Sequence, residues 1–192
     1  MLLTGLAAVW QVLPVSASSR PRAWEDGAVT YFDMSGMDRT VATAAARWNA
    51  SGAKVRLRAV EQREQADVVV DSDDAKLRTA CGSDCLGYTT AIGKPQEGQT
   101  LILLAGELGG DPRALSVWVA AHELGHVLGL RHRTGRTCSL MSEHAFDTRC
   151  APALTAEQAT LEQLVCVPAP ADVEAASAIY GGAPKRRDPR CS

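Results

Sequence analysis

The chain has 192 residues, of which 46% are hydrophobic and 22% are charged. This length suits one compact domain with a small additional lobe, and the composition argues against a largely disordered chain. The formal net charge of −2 provides no electrostatic basis for binding nucleic acid or an anionic membrane surface.

The N-terminal segment Leu2–Ala17 is apolar and uncharged, and it is too short to span a bilayer. Val15-Ser16-Ala17 matches the small-x-small pattern that signal peptidase cuts after. Residues 1–17 are therefore predicted to be a signal peptide, with Ser18 as the first residue of the mature chain. No Lys or Arg precedes the apolar run, and the alternative interpretation is an ordinary N-terminal helix. Since no later segment stays apolar for about 18 residues, we expect a secreted protein without a membrane span.

The chain has six cysteines, an even number that predicts three disulfide bonds in a secreted protein. The simplest of the many connectivities joins neighbours in sequence: Cys81–Cys85, Cys138–Cys150 and Cys166–Cys191. The alternative is that cysteine thiolates bind a metal ion, which the absence of any CxxC pair disfavours.

The first predicted elements are a strand and a helix. Ala28–Phe32 is rich in β-formers and follows a glycine, which is typical of a strand. Asp38 is a suitable N-cap for a helix that ends by Gly52. One face of this helix carries three apolar residues at helical spacing: Val41, Ala45 and Trp48.

Four further strands are predicted. Lys54–Val60 alternates between basic and apolar residues, which indicates a half-buried strand. The apolar side of that strand is formed by Val55, Leu57 and Ala59. Asp67–Asp71 contains three consecutive valines and predicts a strand that is buried on both faces. Leu86–Ile92 and Thr100–Leu104 complete the set, with the former expected at an edge of the sheet.

The second half of the chain predicts helices. Asp111-Pro112 is a strong helix start, and the helix is expected to continue to Leu128 and end at Gly129. Thr155 and Gln158 form a capping box that predicts a helix toward Val165. A last helix is predicted over Ala171–Tyr180, before two glycines.

The segment from His122 to His132 reads HELGHVLGLRH and carries the most specific chemistry of the chain. His122 and His126 are one turn apart (about 400° of rotation), so both imidazoles leave the same helix face and can bind one metal ion. Glu123 lies beside that metal without having to bind it. Gly129 lets the chain turn after the helix, which returns His132 as a third ligand. Three nitrogen ligands leave one position for water, an arrangement typical of catalytic zinc.

This segment resembles the HExxHxxGxxH signature of the metzincin zinc peptidases. Those enzymes place a methionine beneath the metal, on a turn after the third histidine. Ser139-Leu140-Met141-Ser142 resembles this Met-turn, with Met141 as the supporting residue. The order of elements is similar to the matrixin-like branch of the family, in which Ala66–Val70 resembles the third strand and Asp172–Gly181 the last helix.

The resemblance implies an α+β fold of the metzincin-like zincin type. Its parts are a twisted mixed sheet of about five strands, an active-site helix, a first packing helix and a smaller C-terminal sub-lobe with the Met-turn and last helix. We expect this peptidase domain to span residues 18–182, followed by a basic C-terminal tail at 183–192.

Two positions depart from the family pattern and leave the subfamily open. Arg133 follows the third histidine, where matrixins commonly have serine. Glu143 stands two residues after Met141, where astacins and serralysins have a metal-linked tyrosine.

The resemblance implies one catalytic zinc ion. None of the four histidines precedes His122, so the second, structural zinc site of animal matrixins is not expected. Asp71, Asp73 and Asp74 cluster in the sequence and are candidates for binding a calcium ion. The alternative interpretation of this cluster is a solvated acidic turn.

The activity that the resemblance implies is hydrolysis of peptide bonds. Zinc would activate a water molecule, and Glu123 would accept its proton and deliver it to the leaving amine. A protein or peptide substrate is expected to bind extended, along an edge strand beside the cleft. The candidate substrate contacts are Leu86, Gly87, Tyr88, Thr89 and His144. Tyr88 is equally well explained as a packed strand residue, and His144 as a surface histidine.

The main hypothesis is therefore a monomeric, secreted zinc endopeptidase. One alternative is a catalytically inactive metzincin-like binding module, which the presence of Glu123 and all three histidines disfavours. Another is a zinc hydrolase that acts on a narrow set of peptides or on a non-protein amide.

Overall fold

The structure, a computed structural model, describes residues 21–108, 114–133, 139–143 and 167–185. Several sequence predictions fall outside these residues and stay predictions. They are the signal peptide, the helix start at Asp111-Pro112, the helix from Thr155 to Val165, the pairs Cys138–Cys150 and Cys166–Cys191, and the position of His144. None of the described helices is long and apolar enough to cross a membrane.

Within the part of the chain that the structure describes, a mixed sheet of five strands organises the α+β fold. Its strands are β1 (Ala28–Asp33), β2 (Arg56–Ala59), β3 (Val68–Asp71), β4 (Gly87–Thr89) and β5 (Thr100–Leu104). They lie in the order β2-β1-β3-β5-β4. Strand β4 runs antiparallel to β5 at one edge, whereas the other neighbouring pairs are parallel. The five predicted strands are confirmed, and so is the edge position of β4.

The burial of the strands follows their apolar patterns with one exception. All three valines of β3 are buried, as expected for a strand that is covered on both faces. In β2, Leu57 is buried between the exposed side chains of Arg56 and Arg58. Ala59 was expected on the buried side but is exposed. This prediction was wrong because Ala59 is the last residue of an outer strand, at the point where the chain leaves the sheet.

The described residues form four α-helices: α1 (Asp38–Ala50), α2 (Asp74–Cys81), α3 (Ala114–Val127) and α4 (Pro170–Tyr180). The first three contact the sheet. The predicted apolar face of α1 is confirmed by the burial of Val41, Ala45 and Trp48. The prediction that Asp38 caps α1 was wrong, since Met37 holds the N-cap position. The preceding turn is closed instead by Ser35, whose Oγ accepts a hydrogen bond from the Met37 amide at 3.0 Å.

Helix α2 was not predicted, and its start explains the acidic cluster. Asp73 caps the helix by accepting hydrogen bonds from the amides of Ala75 and Lys76. The Lys76 ammonium lies 2.9 Å from the Asp73 carboxylate and 3.7 Å from that of Asp71. Asp74 accepts a hydrogen bond from the Gly106 amide at 2.7 Å. The carboxylates that were candidates for calcium thus have a helix end, a lysine and a backbone amide as partners.

Helix α3 is held in place by three aromatic side chains from other parts of the chain. The indole of Trp48 on α1 donates to the carbonyl of Ala121 at 2.9 Å. At the end of the helix, Trp24 donates to the Val127 carbonyl at 2.7 Å, and the hydroxyl of Tyr180 on α4 donates to the carbonyl of the next residue, Leu128, at 3.1 Å. The last carbonyls of a helix lack intrahelical donors. These contacts satisfy two of them and fix the end of α3, where the histidines lie.

Candidate metal centre and cleft

The turn after α3 brings the three histidines together. Gly129 has a φ of +90°, its amide donates to the His126 carbonyl at 2.9 Å, and the Leu130 amide donates to the Gly125 carbonyl at 3.0 Å. These two bonds form a Schellman motif, which a glycine at this position favours. The chain therefore reverses sharply, and His132 returns toward the helix face that carries His122 and His126.

The nitrogen atoms of the three predicted ligands converge. Nε2 of His132 lies 3.1 Å from Nε2 of His122 and 3.1 Å from Nε2 of His126. His122 and His126 are buried, while His132 is exposed. Among the described residues, these histidines form the one group of three or more His, Cys, Asp or Glu side chains that is suited to a metal ion.

Two backbone carbonyls orient the buried rings. Nδ1 of His122 lies 2.7 Å from the carbonyl oxygen of Leu140, and Nδ1 of His126 lies 2.8 Å from that of Leu130. A carbonyl oxygen only accepts, so each Nδ1 carries the proton and donates it. In the neutral rings this leaves the Nε2 lone pairs free to face the centre, and a hydrogen bond of this kind usually orients a histidine that binds a metal.

The spacing of these nitrogen atoms fits a tetrahedral zinc ion. With Zn–N bonds of about 2.0–2.1 Å, a tetrahedral site separates two ligand nitrogens by roughly 3.3–3.4 Å. The Nε2 separations of 3.1 Å are close to this value. Three imidazole ligands also leave a coordination position for water or substrate. The residues present therefore fit a zinc ion held through three Nε2 atoms.

Burial keeps the two inner histidines neutral. Removal from water lowers the pKa of His122 to about 3, with a smaller contribution from neighbouring His126. Burial likewise lowers the pKa of His126. Neutral imidazole is the form that binds a metal, so both rings are ready to do so at neutral pH.

These shifts predict how the stability of the metal-free protein depends on pH. Below about pH 6.5 a histidine in the unfolded chain binds a proton, whereas His122 in the folded protein stays neutral down to about pH 3. The free energy of unfolding should therefore fall in acid, by up to about 1.4 kcal/mol per pH unit for each such group. Glu123 acts in the opposite sense, because burial raises its pKa from 4.5 to about 7. Between pH 4.5 and about pH 7 the Glu123 carboxylate binds a proton in the folded protein but not in the unfolded chain, which stabilises the fold as the pH falls.

Removing the opposing effect of Glu123 should therefore steepen the acid response. The metal-free Glu123→Gln variant is expected to lose more stability than wild type between about pH 7 and about pH 5. Urea unfolding of both proteins at the two pH values, in the presence of a chelator, measures this difference. Parallel losses in the two proteins would contradict the raised pKa of Glu123.

Glu123 lies on α3 beneath strand β4. Its side chain is almost fully buried, and its Oε2 accepts a hydrogen bond of 2.6 Å from the hydroxyl of Thr89. Burial raises the pKa of Glu123 to about 7, and the hydrogen bond from Thr89 opposes that rise. Such a pKa suits a group that accepts and releases a proton near neutral pH.

Met141, the predicted support of the centre, packs against the helix that carries His122 and His126. It is buried, and a Cβ on Gly125 of α3 would collide with its sulfur atom. The backbone amide of Arg133 donates to the Met141 carbonyl at 2.9 Å, which joins the segment after His132 to this turn. Gly125 is therefore needed for close approach of the methionine to the helix.

Asp172 on α4 holds the turn that contains Met141. Its buried carboxylate accepts hydrogen bonds from the hydroxyl of Ser139, from the Leu140 amide at 2.8 Å and from the Ala169 amide at 3.0 Å. The carbonyl of Leu140 in turn accepts the Nδ1 proton of His122. Asp172 thus supports a candidate metal ligand, His122, through one intervening residue.

Replacing Asp172 with asparagine should weaken both folding and metal binding. Asparagine offers one acceptor oxygen where the carboxylate offers two, and it carries no charge, so the bonds from Ser139, Leu140 and Ala169 are weakened or lost at a cost of about 1–3 kcal/mol. Loss of support for His122 should weaken zinc binding by about 10-fold or more. Urea unfolding and competition with a chromophoric chelator measure the two effects. The exposed Glu174→Gln on the same helix is the matched control, and equal zinc affinity in the two variants would contradict this role of Asp172.

An open cleft of about 1010 Å³ lies beside the histidines. Of the predicted substrate contacts, four line it: Leu86, Gly87, Tyr88 and Thr89. The predicted disulfide Cys81–Cys85 is present and joins the end of α2 to the segment before β4, on the wall of the same cleft.

Two neighbours of the ligands were missed in the sequence. The Trp118 ring stacks on that of His122, with 5.2 Å between centroids and 27° between planes. A carboxylate oxygen of Glu143 lies 3.6 Å from Nδ1 of His132, which is longer than a hydrogen bond but on the side of the ring that faces away from the centre. The spacing of four residues between Trp118 and His122 on one helix could have indicated their contact. No local signal in the sequence indicates that Glu143 lies near His132.

This chain matches no protein-family model and no curated protein. The chemistry of the centre must therefore be inferred from the residues that form it.

Proposed function

We propose that this protein is a secreted zinc-dependent endopeptidase with a metzincin-like active site. The observation that supports this most is the convergence of three histidine Nε2 atoms beside the buried carboxylate of Glu123, at an open cleft. Three protein ligands with a further position for water or substrate are typical of catalytic zinc rather than structural zinc. The buried Met141 that packs against Gly125, next to His126, is consistent with the Met-turn that the HExxHxxGxxH resemblance implies.

In this proposal the histidines bind the metal ion and Glu123 transfers the proton. A zinc ion bound by the histidines would supply Lewis acidity toward the substrate carbonyl and toward a water molecule. Glu123 binds the Thr89 hydroxyl through Oε2, and its Oε1 accepts no hydrogen bond among the described residues. Oε1 therefore takes the proton of the attacking water and passes it to the nitrogen of the leaving amine as the peptide bond breaks.

Strand β4 is suited to bind the substrate. It lies at the edge of the sheet, beyond β5, and it lines the cleft next to the histidines. An extended peptide can add to such an edge through backbone hydrogen bonds. An open cleft beside an edge strand favours a polypeptide substrate over a small amide, which would fit a closed pocket. It therefore supports endopeptidase activity over hydrolysis of a narrow set of peptides or of a non-protein amide.

Secretion is part of the same proposal. It rests on the predicted signal peptide at residues 1–17 and is consistent with the Cys81–Cys85 disulfide, since such bonds persist in oxidising compartments.

The proposal is tested by incubating the purified chain with an unfolded protein substrate. Cleavage is expected, and 1,10-phenanthroline should abolish it while the non-chelating 1,7 isomer should not. Added zinc should restore it. Cuts at several internal positions would identify an endopeptidase, whereas removal of terminal residues alone would identify an exopeptidase. Cleavage that is indifferent to the chelator would contradict the proposed function.

A further inference from the structure

Both oxygens of the Glu123 carboxylate lie against strand β4. Oε2 accepts the Thr89 hydroxyl at 2.6 Å. On the other side, a Cβ placed on Gly87 would lie 2.6 Å from Oε1 and 2.9 Å from Cγ of the same glutamate. Side chains alternate along a strand, so residues 87 and 89 share the face of β4 that covers α3, and Tyr88 points the other way.

We propose that Thr89 is the positioning residue of Glu123, an inference that rests on the proposed function. Its hydroxyl engages Oε2 and so leaves Oε1 as the oxygen that exchanges protons in the cleft. The hydroxyl proton can be donated to one close acceptor, and the Glu123 carbonyl, at 3.4 Å, is the more distant of the two acceptors near it. The sequence suggested Thr89 as a substrate contact, and the structure adds a partner for its hydroxyl within the protein, the Glu123 carboxylate.

Gly87 completes this arrangement through its lack of a side chain. Its backbone passes so close to Glu123 that a methyl group would collide with the carboxylate, and also with Val119 at 2.9 Å. Because Glu123 and Val119 are buried, neither can move aside without disturbing the packing of α3. The close approach of β4 therefore confines the carboxylate at Oε1, while Thr89 binds it at Oε2.

The test compares Thr89→Val, which keeps the shape of the side chain, with Thr89→Ser, which keeps the hydroxyl. Loss of a hydrogen bond to a charged group should lower kcat for peptide cleavage by about 10- to 100-fold in the valine variant. KM and zinc content should stay within about twofold of wild type. The serine variant should recover most of the lost kcat. Thr43→Val is the matched control, since that hydroxyl donates to the Arg39 carbonyl on α1.

Crystal structures of the variants provide a readout that does not depend on activity. In Thr89→Ser the hydroxyl should remain within hydrogen-bond distance of Oε2, and in Thr89→Val the carboxylate should be displaced. Gly87→Ala should also displace it and lower kcat with zinc retained. An undisplaced carboxylate in Thr89→Val, or a kcat equal to that of wild type, would overturn the proposed role.

The outcome also separates this inference from the function on which it rests. A wild-type chain that binds zinc but cleaves no peptide would overturn the proposed function together with the inference. A wild-type chain that cleaves peptides while Thr89→Val has the same kcat would overturn the inference alone.

Discussion

Replacing Glu123 with glutamine is expected to abolish most of the peptidase activity and to leave the metal in place. The amide keeps the size of the buried side chain and can still accept the Thr89 hydroxyl bond, but it cannot take up a proton from water. General acid–base catalysis is worth about 10²- to 10⁴-fold, so kcat/KM should fall by at least about 100-fold. Steady-state kinetics with a peptide substrate, together with zinc analysis of the same sample, measures both quantities.

Glu123→Gln tests the role of Glu123 in proton transfer more specifically than Glu123→Ala does. Because Glu123 is almost fully buried, alanine would leave a cavity and would confuse loss of the base with loss of packing. A Glu123→Gln variant with a rate within a fewfold of wild type would contradict the assignment of Glu123 as the proton carrier.

Replacing His126 with alanine is expected to remove the metal and, with it, the activity. Zinc bound by four ligands in small peptides is held by about 10–16 kcal/mol, so one ligand accounts for roughly 3 kcal/mol, which is more than 100-fold in Kd. Competition with a chromophoric chelator measures the loss. His122→Ala and His132→Ala should behave alike, because the three Nε2 atoms converge on one point.

The Glu123→Gln and His126→Ala variants serve as controls for each other. The glutamine variant should keep zinc and lose catalysis, and the alanine variant should lose both. An alanine variant that retains full zinc affinity would mean that His126 is not a ligand.

The elements that could be predicted are those whose evidence is local. The three valines of β3 and the apolar run of β5 need no distant partner to be recognised as buried strands. The spacing of His122 and His126 predicts a shared helix face, and Gly129 predicts the turn that returns His132. Each of these signals lies within about a dozen residues of its consequence.

The features that could not be predicted depend on pairs that are distant in sequence. Thr89 and Glu123 are separated by 34 residues, and Leu140 and Asp172 by 32. The sequence around either residue of such a pair contains no pattern that indicates which distant residue it contacts. Helix α2 was missed for a different reason: Leu77 is the one buried residue among those described in it, so its apolar periodicity is weak and its acidic start is equally typical of a turn.

The arrangement of the centre explains why distant residues matter to it. The histidines and Glu123 lie on α3 and the turn after it, but part of their orientation comes from elsewhere. The Leu140 carbonyl orients the His122 ring, Asp172 holds the turn with Leu140, and Thr89 orients the glutamate. Such support fixes which atoms face the candidate metal position and which face the cleft.

The most direct measurement of the central claim is anomalous X-ray scattering at the zinc absorption edge from crystals of the chain grown with zinc. One anomalous peak is expected, within bonding distance (about 2.0–2.1 Å) of Nε2 of His122, His126 and His132. With zinc in excess, a map without a peak at this position, or with the three rings turned apart, would contradict the assignment of this centre as a zinc site.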